Sequence, residues 1–173
     1  FVCSQIGAGA VVGAETYLAS TFLINPRFLA QEVEDFNATF GFKPKISFSP
    51  NAKMVFPLDM LANQFIEEAR GKNRHGSCGH GIFEAFNRER AGMGYAVGAA
   101  SIENDSGEWY DRVTLWYKRR LDSLCLGINT TEFMNKALAS YNVTLHALNV
   151  MLNVANPSSN LPSKRRKIVF ESS

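Results

Sequence analysis

Apolar residues follow two rhythms along the chain, one continuous and short, the other spaced by three and four. Tyr17 to Ile24 is a β-permissive apolar run that stops at Asn25-Pro26, where Asn can cap a helix and Pro can occupy its first turn. Phe28, Leu29, Val33 and Phe36 then recur at helical spacing as far as Gly41, which predicts a strand-to-helix unit. Lys45 to Ser49 and Met54 to Phe56 are short candidate strands. Leu58, Leu61, Ala62, Phe65, Ile66 and Ala69 keep the i, i+3, i+4, i+7 pattern up to Gly71, with Asp59, Glu67, Glu68 and Arg70 mostly on the opposite face.

A second helix is predicted over 82–90, and Gly92-Met93-Gly94 breaks it before the small apolar stretch Tyr95 to Ala100. Asp105 to Gly107 predicts a turn, after which Trp109, Val113, Trp116, Leu121 and Leu124 predict another helix. A long helix over 131–153 carries Phe133, Ala137, Leu138, Tyr141, Leu145, Leu148 and Leu152, with Thr130 or Thr131 at its start. His146 falls on the apolar side of that helix and reads as a satisfied core histidine. Asn156 to Ser163 reads as a Pro/Ser/Asn loop and Ile168 to Phe170 as a buried strand. Strands that precede helices favour an open α/β sheet with a helical insertion over an all-α bundle.

The chain of 173 residues, 46% of them hydrophobic, supplies one sizeable core rather than two, so residues 1–173 form a single domain or the interior part of one. Apolar segments stand at both ends, Phe1-Val2-Cys3 and Ile168-Val169-Phe170, and lead us to expect partner segments beyond them. A formal net charge of +2 gives no field that argues for a nucleic acid polymer or an anionic membrane. No apolar run approaches the roughly 20 residues that span a bilayer. Cys3, Cys78 and Cys125 are odd in number and far apart, which fits a reducing, cytoplasmic compartment better than a disulfide framework. The Asn-x-Ser/Thr triplets at Asn37, Asn104, Asn129 and Asn142 are read as chance, and Lys164-Arg165-Arg166-Lys167 as a solvated turn before a strand.

Chemistry concentrates in Arg74-His75-Gly76-Ser77-Cys78-Gly79-His80-Gly81-Ile82. Its glycines let the backbone curl and turn several N–H groups toward one point, where an anion fits, and a helix beginning at Ile82 adds its positive end. Arg74, His75, Arg88 and Arg90 bring nearby positive charge. The stretch is neither a Walker loop, since Gly-Lys-Ser/Thr is absent, nor the Gly-x-Gly-x-x-Gly of a dinucleotide-binding helix. A glycine-rich turn with no ligand is the plain alternative. His75, Cys78 and His80 also admit a zinc reading, although their spacing differs from paired zinc motifs, and Cys78 as a nucleophile lacks a demonstrated base.

The stretch Ser49 to Gly98 resembles the adenylosuccinate synthetase family, in which a helix ending in Ala-Arg-Gly leads into a Gly-Thr-Thr-Gly-x-Gly-Ile-Gly loop, with Val-Gly following. The matching pieces are Ala69-Arg70-Gly71, Gly76 to Ile82 and Val97-Gly98, at ungapped spacing. Phe22 to Pro26 and Val169-Phe170-Glu171 resemble flanking family segments. The resemblance implies an open sheet of P-loop NTPase-like type, within a larger domain. It further implies a cytoplasmic, homodimeric purine nucleotide ligase that joins aspartate to the 6-position of IMP or (d)GMP, driven by GTP or ATP with Mg2+. Ser77, Cys78 and Gly79 are then the residues around the 5′-phosphate of the purine nucleoside monophosphate. Gly92 stands where the family has a phosphate-reaching arginine, so Arg88 or Arg90 is expected to substitute. Ser-Cys for Thr-Thr and Phe83-Glu84 for Gly-Pro are similar to the branch that makes 2-aminoadenine nucleotides from dGMP. The family's Gly-Asp-Glu-Gly-Lys-Gly-Lys, Asn-Ala-Gly-His and Asn-Lys-x-Asp segments do not occur in this sequence, so no complete catalytic set is expected within it. A non-catalytic nucleotide-binding or assembly module that keeps the loop is the alternative.

Overall fold

The computed structural model of the chain describes residues 2–95 and 102–157. These fall into two compact units, one built from described residues up to 53 and from 147 onward, the other from those between 54 and 146.

In the first unit, β1 (Thr16–Leu18) and β2 (Leu23–Ile24) divide the apolar run that reads as one strand. A turn separates them, with the Phe22 N–H donating to the Ala19 carbonyl at 2.9 Å. Helix α1 (Pro26–Phe40) has the boundaries its caps predict: the Asn25 side chain accepts from the Phe28 N–H, and Gly41 closes the last turn in a left-handed conformation. β3 (Ile46–Phe48) returns parallel to β1 in the register Thr16 to Ile46, completing a β-α-β crossover. All three β3 residues are buried, as expected of a strand covered on both faces. β4 (Lys53–Met54) pairs with β2.

The sheet order is β1-β3-β5, with β5 (Asn156–Pro157) parallel to β3. Residues 156 and 157 therefore pair rather than loop, and among the described residues β5, with Pro157, is the outer strand of the sheet. Three consecutive N–H groups, of Ser4, Gln5 and Ile6, converge on the Glu32 carboxylate at 2.6, 2.8 and 3.2 Å and fasten the first segment to α1.

The second unit is helical: α2 (Pro57–Arg70), α3 (Ile82–Arg90), α4 (Ile102–Ser123) and the part of α5 (Thr130–Val154) up to residue 146. Its residues interrupt the first unit in sequence, so the α/β class with a helical insertion holds. Leu58, Ala62, Ile66, Val113, Tyr117, Leu121 and Phe133 form its core. Edge-to-face ring pairs run through it, with Phe65 and Phe133 centroids 5.6 Å apart and Phe56 and Trp109 4.9 Å apart.

Several expectations are corrected. Asp105 to Gly107 is not a turn but part of α4, where the packed Trp109, Val113 and Tyr117 outweigh the ~1 kcal/mol penalty of a helical glycine. Asp59 is on the inside, fully buried. Leu138 is 73% exposed, because the face of α5 that packs runs through Phe133, Ala137 and Thr144. His146 is exposed, not a core residue. Tyr95 is buried, while the rest of the stretch to Ala100, and the strand expected at Ile168 to Phe170, lie outside the described residues. All three cysteines are free and exposed. Among the described residues, no helix is long and apolar enough to cross a membrane.

Candidate functional site

The segment 71–81 joins α2 to α3 and is held at each end by α2. At its far end Gly81, with φ +71°, brings the start of α3 against the α2 backbone. A Cβ there would stand 2.5 Å from Met60 N and 2.6 Å from Asp59 C, so only glycine permits the approach.

Directly below is a buried polar hub. The Asp59 carboxylate receives Arg88 Nε at 2.8 Å, Arg88 Nη2 at 3.2 Å, the Tyr117 hydroxyl at 2.5 Å and the Phe56 N–H at 2.7 Å. Arg88 also donates to the carbonyls of Met54 and Met93, at 2.7 and 3.0 Å, and lies over the Phe56 ring. Burial pulls the Arg88 guanidinium down, but the charge and hydrogen bonds of Asp59 outweigh it and leave the group raised. Burial, with the Asp59 charge adding to it, pushes the Tyr117 phenol well above its ordinary range. Arg120 forks onto Glu84 at 2.8 and 2.9 Å and ties α4 to the first turn of α3.

At the near end the contacts are polar and open to solvent. Glu67 Oε2 accepts the N–H groups of both Gly76 and Ser77, at 3.1 and 3.3 Å, while its Oε1 accepts from Arg70 Nη1 at 2.6 Å. The Ser77 hydroxyl donates to Asn63 Oδ1 at 2.7 Å and accepts the Gly79 N–H at 3.3 Å. Asn63, Gln64, Glu67, Glu68, Arg74, Ser77 and Gly79 line a cleft of about 230 Å³. That volume has room for a phosphate group.

Ser77 and Cys78 are exposed and Gly79 is half-buried, so the three residues singled out by the sequence stand together at the surface. The two arginines do not join them. About seven residues of helical rise, roughly 10 Å, separate Gly81 from Arg88. Arg88 is 0% exposed, with its guanidinium directed into the Asp59 hub, and does not offer a donor to a ligand. Arg90 is exposed at the end of α3, with its guanidinium 5.9 Å from the Phe86 ring centroid. The cation that does line the cleft is Arg74. His75, Cys78 and His80 do not gather: among the described residues no group of three or more His, Cys, Asp or Glu side chains is placed to hold a metal.

The family model of adenylosuccinate synthetase matches residues 1–173. The chain belongs to the adenylosuccinate synthetase family. An adenylosuccinate synthetase of Lactobacillus acidophilus (strain ATCC 700396 / NCK56 / N2 / NCFM) is 25% identical to it over 118 residues, covering 68% of this chain and 27% of that protein. The matched part thus spans about a quarter of the length of this curated relative.

For an adenylosuccinate synthetase family loop, the residues that sequence reasoning missed are Asn63 and Glu67, which support it from α2. Their signal was present: two polar residues at i and i+4, one turn before Arg70-Gly71, face the same side of the helix.

Proposed function

We propose that this chain supplies the 5′-phosphate loop of a purine nucleotide ligase, which joins aspartate to the 6-position of IMP or (d)GMP at the expense of GTP or ATP. The observation that carries the reading is the pair of N–H groups, Gly76 and Ser77, already turned onto a single anionic oxygen at the mouth of a phosphate-sized cleft. A phosphate oxygen is, like that carboxylate oxygen, an anionic acceptor that such N–H groups can bind. Ser77 and Gly79 then bind the 5′-phosphate from the cleft wall, Cys78 from the crest of the loop, and Arg74 adds charge. Arg90 remains a candidate for the outer phosphate contact, whereas Arg88 positions α3.

On this reading the protein is a cytoplasmic homodimer of purine biosynthesis with a P-loop NTPase-like sheet. The Mg2+ that assists such ligation finds no protein cage among the described residues, so no step is assigned to it.

Gly79 provides the test. Its φ of +74° disfavours any side chain, but a Cβ there meets nothing within 4 Å, so a substitution disturbs the loop and not the packing. Gly79→Val is expected to weaken IMP or dGMP binding, measured by isothermal titration calorimetry, on the order of tenfold or more, with a loss of folding stability of only about 1–2 kcal/mol. Unchanged nucleotide affinity would remove the loop from the site. Nucleotide binding by the full-length protein without aspartate-dependent turnover would support the non-catalytic module instead.

A further inference from the structure

Glu67 already satisfies the loop. One carboxylate oxygen takes both the Gly76 and the Ser77 N–H, and each backbone amide carries a single hydrogen, so neither can serve a ligand oxygen at the same time. Arg70, one turn later on α2, grips the other oxygen at 2.6 Å and gives the carboxylate a partner it can keep when it leaves the loop.

Resting on the phosphate-loop reading, we propose that Glu67 is the internal occupant of the Gly76–Ser77 amides and sets the affinity and selectivity of the loop, so that only a ligand carrying a phosphate oxygen strong enough to displace a carboxylate is admitted. The hydrogen bond from Arg70 holds the Glu67 carboxyl below its ordinary range; partial desolvation opposes this and the Ser77 N–H reinforces it. At neutral pH the occupant is therefore a full negative charge. A phosphate entering beside it is repelled until it swings away, and a neutral ligand gains nothing by displacing it. Glu68, which lines the same cleft, adds to the barrier against weakly bound anions.

The test uses inorganic phosphate and IMP as probes, with the amide resonances of Gly76 and Ser77 followed by NMR and affinities measured by calorimetry. Glu67→Ala is expected to tighten phosphate binding on the order of tenfold, since a charge-assisted competitor is gone. Glu67→Gln, whose neutral oxygen still accepts, should fall between it and the unsubstituted protein. Removing Glu67 also liberates Arg70, so the comparison is repeated in an Arg70→Ala background. A gain that persists there belongs to the vacated amides, and one that vanishes belongs to Arg70 and overturns the proposal. Equal or weaker binding by Glu67→Ala, where the unsubstituted protein binds, makes Glu67 a scaffold and overturns the proposal while leaving the phosphate loop intact. Binding by none of these proteins overturns both readings.

Discussion

Gly81→Ala and Gly79→Ala separate two reasons for a glycine within a single loop. Both positions have a left-handed backbone, at φ +71° and +74°, so both alanines carry the same conformational cost of about 1–2 kcal/mol. At Gly79 nothing else is added, because no atom lies within 4 Å of the new Cβ. At Gly81 the Cβ meets Met60 N, Asp59 C and Asp59 O at 2.5, 2.6 and 2.8 Å. All three are backbone atoms of α2, which no rotamer change can move. Relief requires α3 to shift away from the Asp59 hub, a strain comparable to overpacking a core by a methyl group, about 1–3 kcal/mol. Gly81→Ala should therefore cost about 2–5 kcal/mol in total, against about 1–2 for Gly79→Ala. Urea denaturation followed by far-ultraviolet circular dichroism, with both variants measured side by side, reads the difference. On a chain of this size it also lowers Tm by several degrees, at roughly 2–4 °C per kcal/mol. Equal losses for the two alanines would refute the close approach of α3 to α2.

The buried hub supports a second expectation: Arg88→Met strands the Asp59 carboxylate and should destabilise by about 3–5 kcal/mol, while Tyr117→Phe removes only one of its donors and should cost about 1–3 kcal/mol, both read from denaturation midpoints. The contact of Glu67 with the loop has a defined acid limit. Its carboxyl is lowered in the folded protein, so the stabilisation is present above the ordinary glutamate range and is lost as pH falls through the lowered value. The Glu67 side-chain carboxyl resonance, followed by carbon NMR, should therefore stay constant above about pH 5 and move only on stronger acidification, and its titration near neutrality would contradict the ion pair with Arg70.

Helix boundaries were legible because they are written in single residues. Asn25 and Gly41 bracket α1, where a local side-chain cap and a left-handed glycine decide the two ends without help from distant parts of the chain, and α3 stops just before the Gly92-Met93-Gly94 that reads as its break. The α2 pattern of apolar residues was equally clear, and the position of the glycine-rich segment between two helices followed from it. What failed was any inference that needed a partner. Asp59 reads as an outward-facing acid in helical projection, and its burial rests on Arg88 and Tyr117, 29 and 58 residues away, beside the local Phe56 N–H. Arg88 reads as a ligand-facing cation for the same reason in reverse. Asp105 to Gly107 carries turn chemistry that the packed face of α4 overrides, and His146 was misplaced because the side of α5 it occupies is not the side that packs.

The loop takes its geometry from α2 more than from its own residues. Its anchors on that helix, Asp59 with Met60 and then Asn63 with Glu67, lie within eight residues of one another, a rigid span of roughly 12 Å. Asn63 holds the Ser77 side chain from that helix, and Glu67 takes the Gly76 and Ser77 amides from it. This explains why the chain can carry Ser77-Cys78 where its family carries two threonines: the side chain at 78 is exposed, and the amides around it are placed from outside. Gly81 has no such freedom, since any side chain there would push against the backbone that does the placing. If the dependence on α2 holds, substitutions at Cys78 should alter ligand contacts with little change in folding, whereas those at Gly81 should alter folding first and binding as a consequence.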